Sequence, residues 1–257
     1  MSVLESLAVV LGGALALNLV AGVLVLDTAG LRRVPTRARE AAPYLGFLVG
    51  ILAVNKVARD YGPEVSWIIG KNITGFIYSL EGGFVAIVQS IATPALTAYF
   101  SGVYLFGYVF LLTFPFVAYA TWADEPALER AAVAFGVNYA VGLGCYVVFI
   151  SYGPRNLIPD LVDPLLYATY PRAQLVTSQV NANTNVFPSL HTSLAVTVGG
   201  LAWQTREAFP RWTVIAVPLA VSVAVSTMYL GIHWATDVVA GTLLGVGSIV
   251  VANRVTE

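Results

Sequence analysis

The sequence predicts an all-α protein, a polytopic bundle of membrane-spanning helices. Of its 257 residues 58% are hydrophobic and only 11% carry a charge, against about 25% charged in a soluble globular domain. Apolar runs near the ~20 residues that a spanning helix needs recur along the chain. No internal repeat, low-complexity tract or linker divides it, so residues 1–257 read as a single membrane domain.

Seven runs are long and apolar enough to be expected as spans: 3–26, 42–58, 97–121, 129–150, 187–204, 212–230 and 234–252. The first begins with Glu5 and no basic residue and exceeds a signal-peptide core, so it reads as a retained helix. The second is the shortest. Residues 64–81 are too polar to span, but Trp67, Ile69, Ile73, Phe76, Ile77 and Leu80 recur at roughly helical spacing. That pattern fits an interfacial or re-entrant helix. Seven alternating spans place Arg32, Arg33, Arg37, Arg39, Arg130, Arg206, Arg211 and Arg254 on one side, and Lys56, Arg59, Lys71, Arg155 and Arg172 on the other. Cytoplasmic loops are the ones enriched in Lys and Arg. The N-terminus is therefore expected outside, and so are the loop 151–186 and the turn 231–234.

Composition also excludes several functions. A net charge of −1 without any basic tract offers nothing to a nucleic acid. Cys145 is the sole cysteine and lies in an apolar run, which rules out a disulfide framework or a thiolate zinc site.

Three polar clusters reach the same outer face. "YGPR" ends at Arg155 after the fourth span, "PSLH" covers Pro188 to His191 at the start of the fifth, and "STMYLGIHWATD" runs from Ser226 to Asp237 between the sixth and seventh. His233 and Asp237 are four residues apart and share a helical face. A carboxylate there fixes the tautomer of the ring and leaves the other nitrogen free. Pro188 suits a first helical turn, which would leave the amides near Ser189 and Leu190 as donors for an anion. Arg155 offers a planar fork matched to phosphate oxygens.

Together these residues read as a phosphoryl-transfer site. His233 attacks phosphorus, Asp237 stabilises the imidazolium, and His191 gives a proton to the leaving oxygen and takes one from the incoming water or alcohol. Arg155 and Ser189 hold the phosphoryl oxygens. Two other classes remain open at this point: a metal-site hydrolase built on His191, His233 and Asp237, and a transporter or scaffold without chemistry.

The motifs resemble those of the type 2 phosphatidic acid phosphatase superfamily. Pro188-Ser189-Leu190-His191 matches its Pro-Ser-x-His motif, and Ser226 to Asp237 keeps the spacing of its third motif, with Thr227 in place of arginine. The first motif is incomplete, since no lysine precedes Arg155 at the family spacing and the proline stands before the arginine. The resemblance implies a six-helix core over about residues 95–252 plus one earlier span, with one extra N-terminal transmembrane helix. It implies metal-independent chemistry through phosphohistidine at His233 and no cofactor. Ser226 and Thr227 take the phosphate-binding positions of the third motif. Lys71 and Arg172 are candidates to replace the missing cations, and Tyr229 is a candidate substrate contact. "FPSLHTS", "STMYLGIH" and "TAYFSGVYLFGYVFLLTFPF" are similar to the inositolphosphotransferase branch, which includes the inositol phosphorylceramide synthases. The expected partner is a membrane lipid carrying a phosphate, diphosphate or phosphodiester headgroup, with a polyol or lipid-alcohol acceptor if the enzyme is a transferase. Asn181, Asn183 and Asn185 are candidate acceptor contacts. The expected location is the cell membrane, with the site on its non-cytoplasmic face.

Overall fold

The structure, a computed structural model, describes residues 3–122, 126–171, 173–174 and 183–257. It is an all-α bundle. In chain order the long helices are α1 (Val3–Val25), α2 (Ala42–Ile69), α3 (Thr74–Glu81), α4 (Pro94–Tyr119), α5 (Ala127–Val148), α6 (Leu190–Gln204), α7 (Pro210–Tyr229) and α8 (Ala235–Val255). Among the described residues, five helices are long and apolar enough to cross a membrane: α1, α4, α5, α7 and α8. A sixth is counted when the short helix Val34–Glu40 and residues 42–58, bent by 71°, are taken as one broken span.

Local chemistry explains several boundaries. α4 starts with Pro94 in its first turn, behind Thr93, whose hydroxyl accepts the Leu96 amide at 3.2 Å; proline suits that turn because its missing N–H would be unpaired anyway. α7 likewise has a proline, Pro210, in its first turn, but behind Phe209 and without a side-chain cap. The run expected at 187–204 is helical only from Leu190, with Ser189 as its N-cap. At 1.5 Å per residue its 15 residues extend about 22 Å, less than the ~30 Å hydrocarbon core. It is the most enclosed helix of the bundle and packs on α5, α7 and α8.

The region 64–81 differs from expectation. Residues 64–69 continue α2, which closes only at Gly70, whose amide bonds to the Ser66 carbonyl at 2.7 Å. Trp67, Ile68 and Ile69 belong to that helix and stay largely exposed. The amphipathic piece is α3 alone. Between them Lys71–Asn72 (β1) pairs in parallel with Phe149–Ile150 (β2), and Ser151 bridges Asn185. Backbone groups leaving a helix at membrane depth must find partners, and these short pairings supply them.

Close helix approach fixes the centre of the bundle. A Cβ at Gly241 would collide with the Ser189 carbonyl, and one at Gly245 with the Ser193 carbonyl. The Gly-x-x-x-Gly face of α8 thus lets α6 lie against it backbone to backbone. On the neighbouring side Asn138 of α5 donates to Thr197 Oγ1 at 2.9 Å and accepts from the Ser193 hydroxyl. These bonds satisfy polar groups that would otherwise be buried unpaired. At the end of the bundle remote from the histidines, Arg37 is buried rather than a free loop cation. Its Nη2 meets both Glu129 oxygens at 2.9 Å, and its Nε donates to the Trp122 carbonyl at 3.0 Å.

Candidate active site

The ends of α2, α5 and α7 and the starts of α6 and α8 meet at the other face, and the three polar clusters meet there with them. The turn between α7 and α8 is held by the Thr227 carbonyl, which accepts the amides of both Ile232 and His233 at 3.0 Å. Gly231 takes a positive φ of 71° in this turn, a conformation that a side chain disfavours. The "YGPR" loop lies directly on it: Arg155 N donates to the Gly231 carbonyl at 3.2 Å, and a Cβ at Gly153 would strike the Ile232 carbonyl. This contact brings Arg155 to His233.

His233 is buried, 3% exposed. Its Nδ1 lies 3.5 Å from Asp237 Oδ2, and the same oxygen accepts the Trp234 amide at 2.8 Å. The carboxylate therefore caps the first turn of α8 while facing the imidazole. Burial, and after it the charge of Arg155, pushes the His233 imidazole down to about 3, against a hydrogen bond to the Val186 backbone that pulls it up. The ring is neutral at physiological pH and retains a nitrogen lone pair. His191 stands across from it with ring centroids 6.2 Å apart. Two tyrosines of α4 hold His191 in place, Tyr104 at 4.6 Å and Tyr108 at 4.4 Å between centroids. Tyr104 sits in a π turn, Val103–Gly107, an irregularity that recurs at functional sites.

Arg155 lies over the Tyr167 ring, 4.6 Å from its centroid, and its Nη2 donates to the Tyr167 hydroxyl at 3.3 Å. Its Nη1 is buried without a hydrogen-bond partner among the described residues. Leaving a cationic N–H unpaired in the interior is costly, so this edge of the guanidinium is available for an anionic ligand. Both histidines also line a cavity of about 420 Å³ that reaches away between the helices, past Tyr139, Tyr146 and Asn185, to leucines of α1 and α2.

A family model described as PAP2 superfamily matches residues 79–251, which holds the whole of this constellation. The chain belongs to the PAP2 superfamily. No curated protein and no solved structure matches it. Membership makes this PAP2 protein an integral membrane enzyme of the lipid-phosphate phosphatase or phosphotransferase type.

Within the PAP2 framework the remaining expected residues fall into distinct places. Ser189 is fully buried and its Oγ accepts the Thr192 amide at 3.3 Å, which leaves the hydroxyl proton to donate elsewhere. Its own amide is not free, because it donates to the Asp237 carbonyl at 3.0 Å, and the Leu190 amide lies against the Tyr146 hydroxyl. The anion-binding helix terminus expected from Pro188 is thus largely occupied, and Pro188 itself precedes the cap. The hydroxyls of Ser226 and Thr227 donate back to the Val223 and Ala224 carbonyls, each at 2.7 Å. Both protons are committed within α7, and Thr227 contributes through its carbonyl instead. Tyr229 is buried and meets Thr97 Oγ1 at 2.9 Å through its hydroxyl, away from the cavity lining. Lys71 is exposed in β1. Arg172 and Asn181 lie outside the described residues; Asn183 is exposed, whereas Asn185 lines the cavity.

Sequence reading missed Tyr104, Tyr108, Tyr146, Tyr167 and Glu81. The Glu81 carboxylate accepts the amides of Ala235 and Thr236, at 2.8 and 2.9 Å, and so closes the first turn of α8 behind His233. Among the described residues no group of three or more His, Cys, Asp or Glu side chains could hold a metal ion.

Proposed function

We propose that this protein transfers the phosphoryl group of a lipid phosphate or phosphodiester through a phosphohistidine at His233, passing it to water or to an alcohol. The observation that supports this reading best is the meeting of His191 and His233 at one end of an apolar cavity, with Arg155, one edge of it unpaired, close enough to act on the His233 ring.

The steps balance with these residues alone. The lone pair of a His233 ring nitrogen forms the N–P bond as the P–O bond to the leaving group breaks. The bonding pair leaves on that oxygen, which takes a proton from the His191 imidazolium, the form that the bound anionic headgroup favours, and His191 is left neutral for the second step. Asp237 faces Nδ1 and stabilises the positive charge that the ring acquires. Arg155 and the Ser189 hydroxyl hold the equatorial oxygens, whose charge is greatest in the transition state. In the second step His191 takes the proton of the incoming hydroxyl, the new P–O bond forms, and the N–P bond returns its electrons to His233. Burial of the pair excludes bulk water from the first step. The lipid sits with its headgroup at the histidines and its tail in the cavity; in this reading the site faces the non-cytoplasmic side of the cell membrane, an orientation that the charge bias of the loops supports.

Phosphorus NMR tests the reading. Protein in lipid nanodiscs receives a lipid phosphate, a lipid diphosphate and a phosphoinositol lipid, with excess inositol and an acceptor lipid. Inorganic phosphate identifies hydrolysis, and a new phosphodiester resonance identifies transfer, as in the inositolphosphotransferase branch. Either product must vanish in His233→Ala. Activity lost to a chelator and restored by a divalent ion contradicts the metal-free mechanism.

A further inference from the structure

Helix α1 is attached to the bundle unevenly. From Gly13 onward it is docked: a Cβ at Gly13 would collide with the Phe106 ring, Ala14 and Ala21 are buried, and Asn18 Nδ2 donates to Thr113 Oγ1 at 2.8 Å. Near its far end Arg211 Nη1 donates to the Leu24 carbonyl at 2.8 Å. The opening turns differ. Leu7, Val10 and Leu11 continue the face of Ala14 at the i, i+3, i+4, i+7 spacing that marks one side of a helix, yet they line the cavity. Leu52 and Ala58 of α2 form another part of its wall. Among the described residues α1 packs on α4 and α7, with no comparable packing on α2. The result is a seam between two helices with an apolar chamber behind it and the two histidines at its inner end.

We infer that this chamber takes one apolar tail, admitted between the first turns of α1 and the second half of α2, and that the preferred substrate is a phosphate ester on a single long chain. The inference rests on the phosphoryl-transfer reading. Volume supplies the limit. An apolar cavity of ~150 Å³ accommodates one benzene, so the 420 Å³ chamber holds roughly sixteen to eighteen carbons on that scale. That is one lipid tail, not two. The second tail of a diacyl lipid would have to remain in the seam or in the bilayer, and would gain nothing from the chamber.

Two measurements on the full chain in nanodiscs test this. First, phosphate release is followed for butyl, decyl and hexadecyl phosphate and for a diacyl phosphatidate. kcat/KM should rise at least a hundredfold from butyl to hexadecyl and should be lower for the diacyl lipid. Val10→Trp should lower the hexadecyl-to-butyl ratio tenfold or more. A flat length profile, a preference for the diacyl lipid, or an unchanged ratio overturns the inference. Second, hexadecylphosphonate bearing a diazirine near the chain end reports the tail without any turnover. Crosslinks should map to Leu7–Leu11 of α1 and to the facing turns of α2; labelling confined to other helices overturns the tail site even if phosphatase activity is intact. Phosphate release that survives in His233→Ala would instead defeat the phosphoryl-transfer reading, and the crosslinks would then judge the tail site separately.

Discussion

Arg155 stacks on Tyr167, 4.6 Å from the ring centroid, and points one guanidinium nitrogen at the tyrosine hydroxyl while the other stays unpaired. The aromatic face and the hydroxyl fix the plane of the fork before any ligand arrives. A lysine would keep the charge but lose both the stack and the second donor. Arg155→Lys should therefore lower kcat/KM for a lipid phosphate by about 10–100-fold, the worth of one charge-assisted hydrogen bond. Tyr167→Phe keeps the stack and should lose less than tenfold. Near-wild-type turnover in Arg155→Lys would remove Arg155 from the phosphate site.

Glu81 carries no role in the chemistry, yet it accepts both amides that open α8. A carboxylate on unpaired amides at a helix N-terminus contributes about 1 kcal/mol. Glu81→Ala should lower the midpoint of thermal unfolding and reduce kcat, because the His233 turn is anchored by the same first turn. Glu81→Gln keeps an acceptor and should recover most of both. A loss equal in Gln and Ala variants would mean that the charge, not the cap, is what matters.

Protonation of His233 can be read directly, since the chain holds only two histidines. In His191→Gln protein labelled with nitrogen-15 histidine, the single imidazole signal should keep its neutral shift down through pH 5. This follows because burial and Arg155 hold its midpoint to about 3. Removing the cation favours the protonated ring, so adding Arg155→Met should move the midpoint upward. A midpoint near 6.5 in the parent would contradict the buried, cation-flanked environment.

Gly241 allows the backbones of α6 and α8 to touch at Ser189. Gly241→Val should force the helices apart at the residue whose amide bonds to the Asp237 carbonyl, costing about 1–3 kcal/mol and shifting His191 away from His233. Gly247, which has open space around it, is the control: Gly247→Val should leave thermal stability and turnover close to wild type.

Much of this was legible in the sequence because it follows local spacing. The fold class came from apolar run length, and the His233–Asp237 pair from a separation of four; the shared helical face expected for it is not formed, because His233 lies in the turn before α8 and Asp237 reaches it by folding back to cap the first turn. What escaped depends on geometry that spacing does not encode. Ser226 and Thr227 look like phosphate ligands by position, but a hydroxyl inside a helix readily bonds to the carbonyl a turn back, and both do. The amide of Ser189 was expected to be free, and only the close approach of α8 occupies it. Tyr104 and Tyr108 sit in and just after a π turn that no residue pattern announces. Residues 64–69 looked like the start of an interfacial helix because their polar neighbours mask the continuation of α2.

The central claim is that His233 carries phosphorus covalently. The most direct test is a rapid-quench experiment with a phosphorus-32-labelled lipid phosphate, followed by peptide mapping. The account predicts a label that is stable to base and labile to acid, located on His233, absent in His233→Ala, and formed more slowly in His191→Ala by about 10²–10⁴-fold. A base-labile label on Asp237, or turnover with no protein-bound phosphorus on any time scale in which product forms, would contradict it.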